Sequence, residues 1–225
     1  MNYRRRPTLK TYLSLAALAV FFHWPAAILA GNPGINAKIT GVTIPTHRKP
    51  VVTFEIADSK GQPVDLSAID EESIRFAIAT LTAEASGESR YHNYILKRVT
   101  GKEYVYKGKV RNPALAEALQ PDFDDGGVVT RIKAGVFTYA FKTALPANYD
   151  RTATHVVGGE LTREKGKYVA NPVFEFVPSG GKVRVQRAVV VTATCNNCHD
   201  PLKYHGGTRR AVGYCALCHT SQLTD

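Results

Sequence analysis

Between residues 36 and 192, apolar positions recur mostly at every second residue, the period of a strand that turns one face to a core. Val51-Val-Thr-Phe-Glu-Ile56 alternates, and Asp58-Ser-Lys-Gly61 supplies turn chemistry before Pro63-Val64. Ile74, Phe76 and Ile78 fall on one face of a second run. Further strands are predicted over Tyr104–Tyr106, Val136–Phe141, Val173–Val177 and Val183–Thr192. Strands at this spacing predict a mainly β fold, a Greek-key β-sandwich or split barrel. One short helix is predicted, with Asn112 as cap, Pro113 at its first position, and a stop at Pro121 after Leu119. Leu145-Pro-Ala-Asn-Tyr149 has the outline of a tyrosine corner. Asp122-Phe-Asp-Asp-Gly126 misses the spacing of a calcium loop and reads as an exposed turn. The region carries no internal repeat and no catalytic triad signature, so it reads as a support.

The first 30 residues follow another pattern. Arg4-Arg-Arg6 precedes an apolar stretch from Tyr12 to Ala30, with Gly31-Asn-Pro-Gly34 after it. A basic start, a short apolar centre and a small-residue exit describe a secretory signal peptide cut after Ala30. His23 and Pro25 near the end of the stretch favour cleavage over a retained anchor. The mature protein is therefore expected outside the cytoplasm, in the periplasm or at the cell surface.

Composition narrows the class. At 225 residues and 44% hydrophobic, the chain has material for a packed core, and no apolar run supplies several membrane spans. Formal charge is +10, but four of the 29 bases lie in the acid-free first 30 residues. The remaining excess is spread without forming a nucleic-acid stripe, so no nucleic-acid partner is expected.

All four cysteines lie between residues 195 and 218, as Cys195-Asn-Asn-Cys198-His199 and Cys215-Ala-Leu-Cys218-His219. Each is a C-x-x-C-H, the attachment signature of c-type haem. Two thiols three residues apart can bond the two vinyl carbons on one porphyrin edge, and the next histidine then reaches the iron as proximal ligand. Cys195, Cys198 and His199 would hold one covalent haem c; Cys215, Cys218 and His219 would hold a second. The same four cysteines also fit the spacing of a four-cysteine zinc ribbon, which would make the chain a binding module without a redox role. A zinc ribbon does not require histidine after both pairs. With seven histidines in the chain, that coincidence arises on the order of one time in a thousand. Export also favours haem, since reactive thiols rarely stay free outside the cytoplasm, while two disulfides would leave both histidines unexplained.

His205, in Tyr204-His-Gly-Gly-Thr-Arg-Arg210, is the candidate for a further iron ligand. It lies too close in sequence to His199 to wrap round that haem easily, and would more readily face His219 or a haem elsewhere. Gly206-Gly207 would admit a macrocycle close to the backbone, and Arg209 and Arg210 are read as partners for haem propionates. Iron held by histidine on both faces has no position for substrate, and its chemistry is then electron transfer. His92 and His155 read as ordinary polar residues, and His47 as part of a solvated basic turn. A haem enzyme with an open iron position is the further alternative.

The run from Cys195 to Arg210, followed by Tyr214-Cys-Ala-Leu-Cys-His219, resembles the first haem pair of the OmcA/MtrC family of decahaem c-type cytochromes. Lys49-Pro-Val-Val-Thr-Phe54 and Ala144-Leu-Pro-Ala-Asn-Tyr-Asp-Arg-Thr-Ala-Thr-His155 extend the resemblance over most of the mature chain. It implies a Greek-key β domain followed by a haem domain, with electrons passed to redox partner cytochromes, metal oxides or soluble shuttles, and an outer-membrane association. It also implies two covalent haems here and His205 as a distal ligand, without saying on which iron. The expected organisation is a signal peptide over 1–30, a β-rich domain over 31–192, and an irregular or helical dihaem-binding segment over 193–225. Only two of ten haem motifs are present and the chain stops six residues after His219, which reads as a truncated haem domain. No lipid-attachment cysteine follows the signal, a departure from several surface members.

Overall fold

The computed structural model describes residues 34–83, 87–112, 116–187 and 190–222, so the signal-peptide reading lies outside the described residues. Two antiparallel sheets face each other. The first runs in the order β1 (Asn36–Thr43), β2 (Val51–Ala57), β10 (Val136–Ala140), β9 (Val128–Lys133). In the second, β11 (His155–Arg163) pairs on one side with β3 (Arg75–Ala83), which pairs with β4 (Ser89–Asn93). On its other side β11 pairs with β13 (Val173–Phe176) along its first half and with β12 (Tyr168–Ala170) along its second. The fold is a mainly β sandwich whose described strands do not close into a barrel.

The alternation of β2 puts Val52, Phe54 and Ile56 inside, where they meet Phe137 and Tyr139 of β10 and Phe76 and Ile78 of β3. Phe54 and Phe76 join the two sheets with ring centroids 5.3 Å apart, and Phe76 reaches Tyr139 at 5.0 Å. Asp58 closes the predicted turn by accepting from the N–H groups of Lys60 and Gln62 at 2.8 and 2.9 Å.

Three expectations are corrected. Glu117–Pro121 is not helical but forms strand β8, paired with β5 (Leu96–Thr100); residues 113–115 of the expected helix lie outside the described residues. A helix this short between two prolines cannot repay its nucleation, whereas β5 offers it a ladder. Val183–Thr192 is not a strand: residues 183–187 run as an irregular connector, 188 and 189 lie outside the described residues, and Thr192 opens a helix. Val185, Val190 and Val191 are exposed there, because β-branched residues make no strand without a neighbour to pair with. Finally, Asp124 is buried rather than in an exposed turn. Its carboxylate accepts from Tyr139 Oη at 2.9 Å and from the N–H groups of Lys142 and Thr143 at 3.0 Å.

β3 and β11 are buried on both faces. Phe76 and Ile78 look into the sandwich, while Ala77, Ala79, Leu81 and Val156 look outward onto a second apolar cluster that includes Tyr214 and Leu217. The cysteine-bearing segment is thus packed on the outer face of the second sheet. Among the described residues no helix is long and apolar enough to cross a membrane.

Candidate functional site

The two C-x-x-C-H motifs adopt the same local structure. A one-turn helix, α1 (Thr192–Cys195), leads into the first, and α2 (Val212–Cys215) into the second. In the first, the N–H groups of Cys198 and His199 both donate to Cys195 O, at 3.1 and 3.0 Å; in the second, those of Cys218 and His219 donate to Cys215 O at the same distances. The turn brings the paired cysteines to one side, with the histidine directly after them. Val212 N–H donates to Thr192 Oγ1 at 3.0 Å, tying the start of the second helix to that of the first. Leu202 N–H donates to Asn196 Oδ1 at 2.9 Å and fixes the loop between them.

The motifs differ in burial. Cys195 is half-buried and Cys198 exposed, whereas Cys215 and Cys218 are both half-buried beside the fully buried Tyr214 and Leu217; His199 and His219 are both exposed. Burial raises the Cys215 thiol above its usual range and pushes that of Cys218 up to about 11. The sheet makes room for α2 with small residues. Gly158 lies so close beneath it that a Cβ there would come within 2.6 Å of Leu217 Cδ1 and 2.7 Å of Tyr214 Cδ2. Phe123, packed on the same cluster, lies under the guanidinium carbons of Arg75 and Arg209 at 4.8 and 5.4 Å.

Polar clamps complete the docking. Asn93, at the end of β4, donates through Nδ2 to Leu217 O at 2.9 Å and Asp122 O at 3.1 Å. Its backbone exchanges bonds with the Gln222 side chain at 2.7 and 3.2 Å. Asn171 accepts from Arg210 N–H at 2.8 Å and donates to Thr208 O at 3.2 Å. Glu160, 4% exposed in β11, accepts from Arg209 Nε at 3.0 Å and lies 3.4 Å from Tyr214 Oη. Arg209, read from sequence as a propionate partner, is therefore held by Glu160. Arg210 likewise donates to Gly207 O at 2.8 Å and to Gly166 and Lys167 O at 3.4 Å. None of these clamps showed in the sequence, although the Gly158-Gly159 doublet after Val156-Val157 was a readable sign of close approach.

His205 meets His219, with ring centroids 6.2 Å apart and planes at 48°. It stands at φ +50°, followed by Gly206 at +72° and Gly207 at +92°, three successive left-handed residues that turn the loop back toward the second motif. Burial, then the positive charge of Arg209 and the neighbouring His219, keep the His205 ring below its usual pKa, with Glu160 opposing them. Arg209, Tyr214, Cys215, Cys218 and the two rings enclose one small gap. Two imidazoles bound to opposite faces of one iron, each by a metal–nitrogen bond of about 2 Å, stand about 6 Å apart between centroids. The donor set is of the right chemistry for a haem: Cys215 and Cys218 would carry it, and His219 and His205 would hold its iron.

The other histidines are elsewhere. His155 is buried in the sandwich, with Nε2 3.0 Å from Tyr94 Oη and Nδ1 3.0 Å from Ala153 O, and burial lowers its pKa. His92 lies in β4 opposite Thr80, and His47 accepts from Lys49 N–H in an exposed turn. Among the described residues no three His, Cys, Asp or Glu side chains gather as metal ligands.

No family model matches the chain. It is 26% identical over 208 residues to the multihaem cytochrome MtrC of Shewanella baltica (strain OS185), covering 85% of this chain and 29% of that protein. Its fold matches the crystal structure of the outer membrane decahaem cytochrome OmcA with a TM-score of 0.69 and 25% identity, over 85% of this chain and 30% of that one. MtrC from Shewanella baltica OS185 matches with a TM-score of 0.59 and 25% identity, over 83% and 30%. The chain thus spans less than a third of the length of the relatives it matches.

Proposed function

From the homology of this chain to the OmcA/MtrC decahaem cytochromes, we propose that it is the β domain and first haem-bearing segment of an exported multihaem c-type cytochrome that passes electrons. In this reading residues 1–30 are the signal peptide, 31–192 the β-rich domain and 193–225 the haem segment. Cys195 and Cys198 would bind one haem c, with His199 to hold its iron; Cys215 and Cys218 would bind a second, with His219 and His205 to hold its iron. The observation that carries it is the spacing of the His205 and His219 rings beside two half-buried cysteines. Bound haem supplies a one-electron couple tuned by its axial ligands and burial.

The chain's own part is positional. The Gly158 slot and the Asn93 clamp hold the second motif against the sheet, and the left-handed turn at His205 sets the ring opposite His219. With His219 and His205 both holding that iron, no position on it would be left for substrate, so no catalytic residue is assigned and the role is a carrier's. The donor and acceptor are proposed to be other redox cytochromes and, on the acceptor side, metal oxides or soluble shuttles, with the protein in the periplasm or at the outer membrane.

Intact mass and absorption spectrum, measured after export through a c-type haem maturation pathway, test the reading. Two covalent haems with a sharp reduced α-band are expected. A colourless protein whose mass fits zinc or two disulfides would overturn it.

A further inference from the structure

Residues 96–112 and 116–121 leave the sandwich as an arm. Its base is the ribbon of β5 with β8, extended by Gly101 N–H to Ala116 O at 2.9 Å; its tip is a second ribbon, β6 (Tyr104–Tyr106) with β7 (Lys109–Arg111). The strands of each ribbon pair with one another and with no strand of either sheet. Lys107 and Gly108, both left-handed at φ +49° and +72°, close the tip in the two-residue turn that suits a twisted hairpin.

What the tip presents is unusual for a solvated hairpin. Val105 and Val110 face each other across it, 71% and 66% exposed, and Tyr104 and Tyr106 are 55% and 54% exposed on the opposite face. The tyrosines stand opposite Arg111 and Lys109, and Lys107 Nζ lies 5.4 Å over the Tyr106 ring. From 104 to 111 the chain carries three bases and no acid. At the base of the arm Arg98 meets Glu117 at 2.8 Å and Lys97 meets Asp122 at 3.8 Å.

We propose that this tip is a membrane-contacting hairpin that docks on anionic phospholipid headgroups. Three features favour a lipid surface over a protein partner. Eight residues are far fewer than the roughly 20–30 a side of a stable protein interface. Tyrosine with its hydroxyl outward, and lysine with its apolar stem, both place an apolar body in the interface and a polar end in the headgroups. A ribbon of three residues a strand reaches about 10 Å, the depth to which interfacial elements enter the headgroup boundary. The bases supply the attraction to phosphate, and the valines the apolar contact beneath it.

The proposal gives the membrane association suggested above a defined surface, and the absorption spectrum reports on the haems separately, so the two readings fail independently. The test is co-sedimentation of the full mature chain with vesicles of neutral phosphatidylcholine, or of the same lipid with about 30% phosphatidylglycerol. Binding to the anionic vesicles alone is expected, weakened at 0.5 M salt by screening on the order of a 4 Å Debye length. A double reversal, Lys107→Glu with Lys109→Glu, is expected to weaken it more than about tenfold, since each base near an anionic surface contributes about fivefold. Val105→Trp places a reporter at the tip, and its emission is expected to shift to the blue on anionic vesicles. Absence of binding to anionic vesicles, or binding unchanged by the charge reversal, would overturn the proposal. So would concentration-dependent self-association that the reversal abolishes, which would assign the arm to a second copy of this chain.

Discussion

Gly158 and Tyr214 stand closer than any side chain at position 158 would allow: a Cβ built there lies 2.7 Å from Tyr214 Cδ2. Tyr214 is fully buried, so it has nowhere to retreat. Gly158→Ala is therefore expected to destabilise the protein by about 1–3 kcal/mol through overpacking, read from chemical denaturation. Gly213→Ala, whose added carbon meets Val173 at an ordinary 3.5 Å on the exposed side of α2, is the control and should leave stability unchanged or slightly raised.

His205→Ala is expected to leave both haems attached while one changes from low to high spin and begins to bind carbon monoxide when reduced. The absorption spectrum with and without the gas checks it. An unchanged spectrum would remove His205 from the ligand set.

Cys198→Ser should weaken or abolish attachment of the first haem only, because each motif closes on its own carbonyl, Cys195 O or Cys215 O. Intact mass lower by one haem is the expected outcome, and simultaneous loss of both would show that the sites are not independent.

Arg209 keeps 18% of its side-chain surface and Glu160 only 6%, so their pair is mostly out of water. Glu160→Gln leaves the guanidinium without its countercharge. A loss of about 2–3 kcal/mol is expected, below the range for fully buried pairs because Arg209 is partly wet. Urea denaturation of the variant measures it.

Asp70 gives a pH dependence. Burial pushes its carboxyl up, but donation from Thr162 Oγ1 at 2.7 Å and from the N–H groups of Lys165 and Gly166 at 2.8 Å outweighs this and holds its pKa below the usual value. A depressed folded-state pKa contributes stability that is present above the unfolded value and lost as pH falls through the folded one. Asp70→Asn should therefore lower stability at neutral pH and flatten its decline below about pH 4, measured by denaturation at a series of pH values.

How much of this was legible depended on whether a residue acts along the chain or through space. β2 and β10 alternate because one face meets the core, so their period is written in consecutive residues. β11 is buried on both faces, and His155-Val-Val-Gly-Gly-Glu-Leu-Thr-Arg163 has neither alternation nor a plain apolar run. Its glycines serve the packing of α2 and Phe76, and its glutamate serves Arg209. Ala116-Glu-Ala-Leu119 has helix formers but a strand for a neighbour, and pairing overrode propensity. The cysteine motifs could be read because their chemistry demands fixed local spacing. Asn93 and Asn171 could not, since each clamps a segment far away in sequence.

Asn93 uses its amide, its carbonyl and both ends of its side chain at once: Nδ2 on Leu217 and Asp122, Oδ1 on Ile95 N–H, and the backbone on Gln222. The segment from Tyr214 to Gln222 therefore does not fray by itself. Releasing it breaks three of these five bonds at the sheet edge, so segment and edge open together as one cooperative unit. In native-state hydrogen exchange, the amides of Cys218 and His219 should carry the protection and the exchange lifetime of β3 and β4.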